Sequence, residues 1–258
     1  HTPFVAPKKY FVLYDREKIE IPKISSDYLA TLPEPAVKSI RAKKNQLNLE
    51  KELAQEIKEA YYSTISFVDA QVGRLLDHLK SSGLDKNTIV VFTSDHGYHM
   101  GEHGHWQKQT LFDNATRIPL IISFPNMKNK GGISKSPVEL IDLYPTLMDL
   151  TGINIPEHVV GKSLEPLMKN LKASVRGSAL TRWRKGYSIK TKRFRLTKWG
   201  SNGELGYELY DHKNDKKELI NLARNQDYNE IMDSLKLVIE QRIIEASIKP
   251  KGLGRQFE

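Results

Sequence analysis

Side chains that could perform acid–base, metal or anion chemistry are concentrated in one segment, residues 95–108. The segment contains an aspartate, a glutamate, a tryptophan, a lysine and four histidines, and these histidines lie within ten residues. A lone aspartate usually starts a turn, and a lone histidine is usually a hydrogen-bonded structural residue. A hydrophobic core has no need of this mixture, so the segment predicts a functional site.

The dipeptide Asp95-His96 is the candidate metal site within this segment. Taken alone, the two residues suit zinc or another borderline metal, because imidazole is an uncommon ligand of hard cations. A zinc-protease site is excluded, since the chain contains no His-Glu-x-x-His motif.

The residues that precede this pair indicate how it is positioned. Residues 88–92 read Thr-Ile-Val-Val-Phe, an unbroken β-branched and aromatic run. Such a run predicts a strand that is buried on both faces, as in a parallel sheet. Ligands of open α/β sheets bind beyond the carboxyl ends of the strands, which is where Asp95 and His96 follow.

Six short motifs are spread along the chain. They are Ser94-Asp95-His96-Gly97-Tyr98, Gly101-Glu102-His103-Gly104, Trp106-x-Lys108, Ala115-Thr116-Arg117-Ile118-Pro119-Leu120-Ile121, Asp142-Leu143-Tyr144-Pro145-Thr146-Leu147 and Glu208-Leu209-Tyr210-Asp211. Together they resemble the C-terminal half of a type I sulfatase, most closely the iduronate-2-sulfatase-like branch. Ser-Asp-His-Gly alone is shared with other members of the alkaline phosphatase superfamily, but the combined set is specific and covers nearly the whole chain.

The expected fold is therefore α/β. Residues 1–174 are expected to form the C-terminal part of an alkaline-phosphatase-like mixed sheet flanked by helices, and residues 175–258 a small antiparallel α+β subdomain. The proline-containing stretch 10–36 is predicted to be a surface excursion, Asp142 to be structural, and the alternating cations of 190–198 to lie mostly on a solvated strand face. Hydrophobic patterning predicts helices at 48–80, 137–152 and 228–247, and strands at 119–125, 178–182, 187–191, 194–198 and 207–210.

The resemblance also implies a reaction, the hydrolysis of a sulfate ester by a formylglycine nucleophile with a bound calcium ion. Asp95 and His96 would be calcium ligands. Lys108 would bind the sulfate group or assist the leaving oxygen. His1, which stands in a His-x-Pro-Phe context, would contact the sulfate or act as the general acid.

The predicted substrate is a sulfated sugar or polysaccharide, and the function would be polysaccharide degradation. His105 and Trp106 from the loop, with Arg182 and Arg184 from the C-terminal sheet, are the predicted substrate contacts, because an indole suits a sugar face and a guanidinium suits a carboxylate or sulfate. The net charge of +9 favours a polyanionic partner. Nucleic acid is disfavoured, since no RNA-binding signature or basic helix with interleaved aromatics occurs.

Parts of the family's active site have no counterpart in the sequence. The chain contains no cysteine, which rules out disulfides and thiolate metal sites within it. It also lacks a Ser-x-Pro-x-Arg motif and the family's N-terminal Asp-Asp pair. We therefore expect half of an active site, whose partner is the N-terminal half of the same sulfatase, as a separate or cleaved chain that carries the formylglycine.

Two other functions stay open from the sequence. One is a zinc-dependent phosphodiesterase or phosphatase of the same superfamily, and the other is a non-catalytic binder of sulfated glycans. The sequence has no apolar run long enough to span a membrane and no signal-peptide pattern. The family resemblance implies a periplasmic or secreted protein, or a lysosomal one if the source is eukaryotic.

Overall fold

A computed structural model describes residues 2–249 of the chain. Short helices make up the N-terminal part, one long helix follows, and a two-stranded and a four-stranded sheet come after it. The elements are α1 (Lys8–Phe11), α2 (Ser26–Ala30), α3 (Glu34–Ile40), α4 (Lys51–Ser81), β1 (Val90–Thr93), α5 (Asp113–Thr116), β2 (Leu120–Ser123), α6 (Leu143–Thr151), α7 (Glu165–Lys169), β3 (Ala179–Trp183), β4 (Gly186–Lys190), β5 (Phe194–Trp199), β6 (Gly206–Asp211) and α8 (Asn229–Ser247).

The N-terminal segment is part of the core, so the predicted surface excursion at 10–36 is wrong. Helix α2 begins after Ser25, whose hydroxyl oxygen accepts a hydrogen bond from the Tyr28 backbone N–H at 3.2 Å. Tyr28, Leu32 and Ala36 are buried in a cluster that includes Trp199 of the C-terminal sheet. Two prolines of this stretch, Pro33 and Pro35, stand at the start of helix α3 instead of keeping the chain on the surface.

Helix α4 confirms the predicted long helix, but the apolar stripe on which that prediction rests is buried only in part. The stripe consists of Leu53, Ile57, Tyr61, Ile65, Val68, Val72 and Leu75. The side chains that pack inward contact the N-terminal segment: Lys58 donates to the Glu20 carbonyl at 2.9 Å, and Glu59 accepts from Arg16 at 2.6 Å. Within the stripe, Ile57 and Tyr61 pack beside Met100 and Trp106, whereas its C-terminal part is open, with Leu75 71% exposed. Within residues 2–249 no element covers the outer part of this stripe, which explains why the predicted packing is not observed there.

Strands β1 and β2 form an antiparallel pair in which Val90 lies opposite Ser123. The β-branched run does form a strand, but its predicted burial on both faces is wrong for the described chain. Phe92 is 41% exposed and Ile121 is 60% exposed. Residues 2–249 supply no third strand to this sheet, so both of its edges are unpaired, and the face that carries Phe92 and Ile121 is open.

Strands β3 to β6 form an antiparallel sheet in sequence order, which we call the C-terminal sheet. Alternation along the strands gives it two different faces. One face carries Ile189, Leu196 and Leu209, which pack against α8 residues in one cluster. The other carries Trp199 and Tyr210, which pack in a second cluster against side chains that directly follow residue 108. The C-terminal sheet therefore lies between α8 and the chain segment that carries the candidate site.

Two cations of this sheet contradict the prediction of a solvated strand face. Arg195 and Lys198 are both buried. Lys198 donates to Glu240 of α8 at 2.5 Å and to the Ser201 carbonyl at 2.9 Å. Arg195 lies on the other face with its own carboxylate partners. A buried cation is tolerated only when it is paired and hydrogen-bonded, which is the case for both.

The region around Asp142 is structural, as predicted. A 3₁₀ turn at Leu140–Asp142 leads into α6, so the α-helix begins later than the predicted start near residue 137. The buried Asp142 carboxylate accepts hydrogen bonds from the backbone N–H groups of Glu139 and Lys162, both at 2.8 Å, and pairs with Arg176. Among the described helices, none is long and apolar enough to cross a membrane.

Candidate active site

The site loop, residues 94–108, folds back on itself after β1. The backbone N–H of His99 donates to the Gln107 carbonyl at 2.8 Å, and that of Gly101 donates to the His105 carbonyl at 2.9 Å. This pairing returns Lys108 towards the end of the loop that carries Asp95 and His96.

Gly97 lets the base of the loop lie against helix α5. Its N–H donates to the Ala115 carbonyl at 2.8 Å. A Cβ atom at position 97 would lie 2.0 Å from the Asn114 carbonyl oxygen, so only glycine fits without moving the backbone. The residue after His96 is therefore held directly against the chain that leads into Arg117.

Asp95 and His96 present two neighbouring atoms with free lone pairs that could bind a metal ion. The His96 Nδ1 lies 2.8 Å from the Gly97 carbonyl oxygen, which only accepts, so Nδ1 carries the proton and Nε2 keeps its lone pair. Nε2 lies 3.5 Å from Asp95 Oδ2, and the Asp95 side chain is 83% exposed. The other oxygen, Oδ1, accepts from the His96 backbone N–H at 3.0 Å.

This arrangement fits two neighbouring ligands of one metal ion. Calcium holds its oxygen ligands at about 2.3–2.6 Å, so donor atoms 3.5 Å apart can occupy adjacent positions around it. A histidine ligand is normally oriented by a hydrogen bond from its other ring nitrogen, which the Gly97 carbonyl provides here. Calcium takes roughly six to eight ligands, so these two residues form only part of a site.

Lys108 and His1 are the predicted catalytic residues. The Lys108 side chain is half-buried, and among residues 2–249 its ammonium group has no carboxylate partner within ion-pair distance. It is therefore available to an anionic ligand. His1 lies outside the described residues, so its predicted contact with sulfate or action as general acid stays a prediction.

The remaining histidines of the loop form a buried cluster. His99 Nε2 is hydrogen-bonded to Thr110 Oγ1 at 2.8 Å. His103 Nδ1 lies 2.5 Å from the Tyr28 hydroxyl oxygen, and the His103 ring stacks on Phe112 with 3.9 Å between ring centroids. Burial lowers the pKa of His103 to about 4 and lowers that of His99 well below its ordinary value. These rings are neutral near pH 7 and hold the loop through packing and hydrogen bonds.

The predicted substrate contacts at His105 and Trp106 are contradicted by their burial. His105 Nδ1 bonds the Ile40 carbonyl at 2.8 Å, and burial lowers its pKa to about 4. Trp106 packs in a cluster with Ala54 and Met100. Neither side chain offers its surface to a substrate, because helices distant in the sequence cover both of them.

The two predicted arginines are exposed, but they are not placed equally. Arg182 is the cross-strand partner of Tyr187 and lies over that ring at 5.2 Å, on the α8 side of the C-terminal sheet. That face is the one turned away from the site loop, and the substrate contact of Arg182 stays a prediction. Arg184 lies in the turn between β3 and β4 with a positive φ of 50°, and its guanidinium is 5.7 Å from the Trp183 ring.

Comparison with known proteins identifies the family. Residues 1–153 match the family model described as Sulfatase, and residues 101–245 match the one described as N-sulphoglucosamine sulphohydrolase, C-terminal. The chain belongs to the sulfatase family. The finer placement in an iduronate-2-sulfatase-like branch stays a prediction.

This sulfatase chain has similar relatives among characterised proteins and solved structures. It is 35% identical over 248 residues to a sulfatase of Formosa agariphila, a match that covers 93% of the chain and 47% of the relative. It is 30% identical over 204 residues to an N-acetylglucosamine-6-O-sulfatase of Bacteroides thetaiotaomicron, with 72% and 36% covered. The structure of a phosphonate monoester hydrolase from Silicibacter pomeroyi superposes with a TM-score of 0.85 at 26% identity, over 96% of this chain and 55% of the other. The chain thus spans about half the length, or less, of these relatives.

A second ionisable cluster of the sulfatase chain was not predicted. Ligand atoms of Asp113, His212 and Glu218 lie within 4.8 Å of one another, a spacing that would suit a metal ion. The buried Arg195 guanidinium, however, already bonds Asp113 at 2.5 Å and Glu218 at 2.6 Å. These contacts lower the pKa of Glu218 to about 2 against the opposing effect of burial. The cluster is therefore an ion-pair network, and no local sequence spacing indicated it because Asp113 and Arg195 are far in the chain from each other and from the His212–Glu218 pair.

Glu208, in the Glu-Leu-Tyr-Asp motif, is also buried on the face of the sheet turned towards the site loop. Its carboxylate accepts from Trp199 Nε1 at 2.6 Å and from the Tyr210 hydroxyl at 2.7 Å. No lysine or arginine pairs with it among the described residues. Burial raises its pKa to about 7, although the two hydrogen bonds oppose this rise.

Proposed function

We propose that this chain is the C-terminal part of a sulfuric ester hydrolase that removes sulfate from a sulfated sugar. The observation that carries the proposal is the geometry at the end of β1, where Asp95 Oδ2 and His96 Nε2 lie 3.5 Å apart with both lone pairs free. The backbone pairing of the loop brings residue 108 back towards that end, and the Lys108 ammonium has no carboxylate partner among residues 2–249. A pair of metal ligands together with a free cation suits an anionic ester group.

Asp95 and His96 would hold a calcium ion, as the family resemblance implies. When bound, the ion supplies positive charge that stabilises a sulfate group. Asp95 would supply a carboxylate oxygen and His96 an imidazole nitrogen. The hydrogen bond to the Gly97 carbonyl keeps the proton of His96 on Nδ1, so that Nε2 can bind the ion. The remaining ligands are expected from the N-terminal half.

Lys108 would bind the sulfate oxygens and stabilise the charge that develops when the ester bond breaks. Hydrolysis leaves the oxygen of water on the sulfate and a proton on the sugar oxygen. We assign that proton transfer to His1, because an imidazole titrates near neutral pH. The nucleophile itself, a formylglycine, is expected on the N-terminal half.

The uncovered apolar surfaces support such a partner. The outer stripe of α4 exposes Leu75, and one face of the β1–β2 pair exposes Phe92 and its cross-strand partner Ile121. An open strand edge and apolar face invite association with another segment. The N-terminal half of the same sulfatase would complete this sheet and bring the formylglycine to Asp95. Secretion or periplasmic location is part of the proposal by family analogy.

The test uses the complete enzyme with both halves. Calcium content and sulfate release from N-acetylglucosamine 6-sulfate are measured for the wild type and for Asp95→Asn, which keeps the shape but removes the charge. We expect loss of calcium binding and of most activity in the variant, restored in part by raised calcium. Asp85→Asn, in a turn remote from the loop, is the matched control. Full activity of Asp95→Asn after chelation would refute the metal assignment.

A zinc phosphodiesterase or phosphonate hydrolase is the second candidate, because the phosphonate monoester hydrolase of Silicibacter pomeroyi shares this fold over 96% of the chain. Imidazole and carboxylate also suit zinc. The two candidates differ in measurable ways. Zinc in the purified enzyme, with faster turnover of a phosphonate or phosphate ester than of a sulfate ester, would favour the second candidate.

A further inference from the structure

The two faces of the C-terminal sheet identify which of its cations are directed to the site loop. Lys190 of β4 is the cross-strand partner of Arg195, and both lie on the face that carries Trp199 and Tyr210. Arg182 lies on the opposite face over Tyr187. Of the cross-strand partners Lys190 and Arg195, Arg195 is bonded to Asp113 and Glu218, so Lys190 is the one that has no carboxylate partner among the described residues.

A chain of contacts connects Lys190 with the base of the site loop. Its neighbour Arg195 bonds Asp113, the first residue of α5, at 2.5 Å. Helix α5 is held against the turn after His96 by the hydrogen bond from Gly97 to Ala115. Arg117 directly follows α5, and its carbonyl oxygen also closely approaches Gly97. Lys190 and Arg117 thus flank the same short helix that supports the metal-ligand pair.

Positive charge exceeds negative charge in this neighbourhood. The carboxylates of Asp113 and Glu218 are both bonded to Arg195. Lys190 donates only to the Thr191 carbonyl, at 2.8 Å, and has no carboxylate partner within ion-pair distance in residues 2–249. The Arg117 side chain is 79% exposed and reaches Asp113 only at 3.8 Å. Three cations therefore share two carboxylates.

The pKa of Lys190 is consistent with this imbalance. Burial, with smaller contributions from Arg195 and Arg117, lowers the pKa of Lys190 to about 8, and Asp113 and Glu218 oppose this fall. An ammonium group that is half-buried without a carboxylate gains more from an incoming anion than a fully solvated lysine would.

We propose that Lys190 and Arg117 form a subsite for a second anionic group of the substrate, a sulfate or a carboxylate on or next to the sugar whose ester is hydrolysed. The inference rests on the proposed function of the Asp95, His96 and Lys108 site. The planar guanidinium group of Arg117 can donate two parallel hydrogen bonds to carboxylate or sulfate oxygens, and Lys190 supplies a second positive charge from the sheet. The subsite makes the enzyme selective for polyanionic glycans.

The test compares substrates that differ in their second anion, in the complete enzyme. The substrates are an aryl sulfate, N-acetylglucosamine 6-sulfate, a disulfated glucosamine and a monosulfated disaccharide with a uronate. Lys190→Met and Arg117→Met should each raise KM for the last two about tenfold, the effect of one lost charge-assisted contact, with kcat and the first two substrates little changed. A larger effect with the disulfated sugar identifies sulfate as the preferred group, and a larger effect with the uronate identifies carboxylate.

Two further variants separate recognition from damage to the fold. Lys192→Met removes an equal charge from the exposed turn after β4 and should leave all four KM values unchanged. Lys190→Arg keeps the charge and should retain a KM within a few-fold of the wild type. Equal losses on all substrates, or no loss in Lys190→Met and Arg117→Met, would overturn the subsite.

Failure of the proposed reaction gives a different result. If the wild-type enzyme releases no sulfate from any substrate, the proposed function fails. Calorimetric titration with the disulfated glucosamine then decides the subsite by itself. About tenfold weaker binding by Lys190→Met than by Lys192→Met supports it, and equal affinities refute it.

Discussion

The buried carboxylate of Glu208 should make the stability of this chain fall as pH rises. Burial raises its pKa from an ordinary value of 4.5 to about 7, so the folded state binds the proton more tightly than the unfolded state does. The contribution of Glu208 to the free energy of unfolding is fully present below about pH 4.5, decreases as pH rises, and is lost above about pH 7. The difference between the two pKa values corresponds to about 3 kcal/mol.

Glu208→Gln removes this ionisation and keeps the local hydrogen bonds. The amide oxygen can still accept from Trp199 Nε1, and the amide N–H₂ can donate to the Tyr210 hydroxyl oxygen. The variant should therefore be close to the wild type at pH 4.5 and more stable than it at pH 8, by up to about 3 kcal/mol. Other titrating groups cancel in the difference between the two proteins.

The assay is urea unfolding of the 258-residue chain at several pH values, followed by tryptophan fluorescence and far-ultraviolet circular dichroism. Trp199 contacts Glu208 directly and so reports on this part of the core. Glu157→Gln removes the same charge from an exposed loop and should have the same pH dependence as the wild type. A Glu208→Gln curve parallel to the wild type between pH 4.5 and 8 would show that the burial argument is wrong.

Two more outcomes are expected. In the complete enzyme, Lys108→Ala should lower kcat by about 10²-fold or more, while Lys130→Ala in a distant loop should not, and wild-type turnover in Lys108→Ala would remove that residue from the mechanism. The buried neutral rings of His103 and His105, with pKa values of about 4, should reduce stability as pH falls from 6.5 towards 4, because only the unfolded chain binds their protons readily. A free energy of unfolding that stays constant over that range in the Glu208→Gln background would contradict the burial of these rings.

Much of the local structure could be predicted from the sequence, because it depends on neighbours in the chain. The long helix α4, the strand before Asp95, all four strands of the C-terminal sheet and α8 were predicted within a few residues of their observed bounds. Periodicity and turn residues act over short distances, so they are visible in the sequence. The family motifs likewise identified Asp95 and His96, whose adjacency in sequence ensures their adjacency in space.

Which side of each element is buried could not be read in the same way. The sequence of α4 offers an apolar stripe, yet the chain buries it only in part and also buries the face that binds Glu20 and Arg16 through Lys58 and Glu59. A hydrophobic stripe indicates only that burial of these side chains would be favourable. The residues that bury them belong to a segment elsewhere in the chain or to another part of the protein.

The sequence by itself determined the family, the order of the elements and the residue types of the candidate site. The tertiary structure decided which charged and aromatic side chains remain available to a ligand. Trp106 and His105 look like substrate contacts in the sequence but are buried. Lys190 belongs to a run of cations predicted to be mostly solvated, yet it lies half-buried on the site-loop face of its sheet. The physical reason is that exposure and charge balance depend on contacts between residues far apart in the chain, such as Arg195 with Asp113.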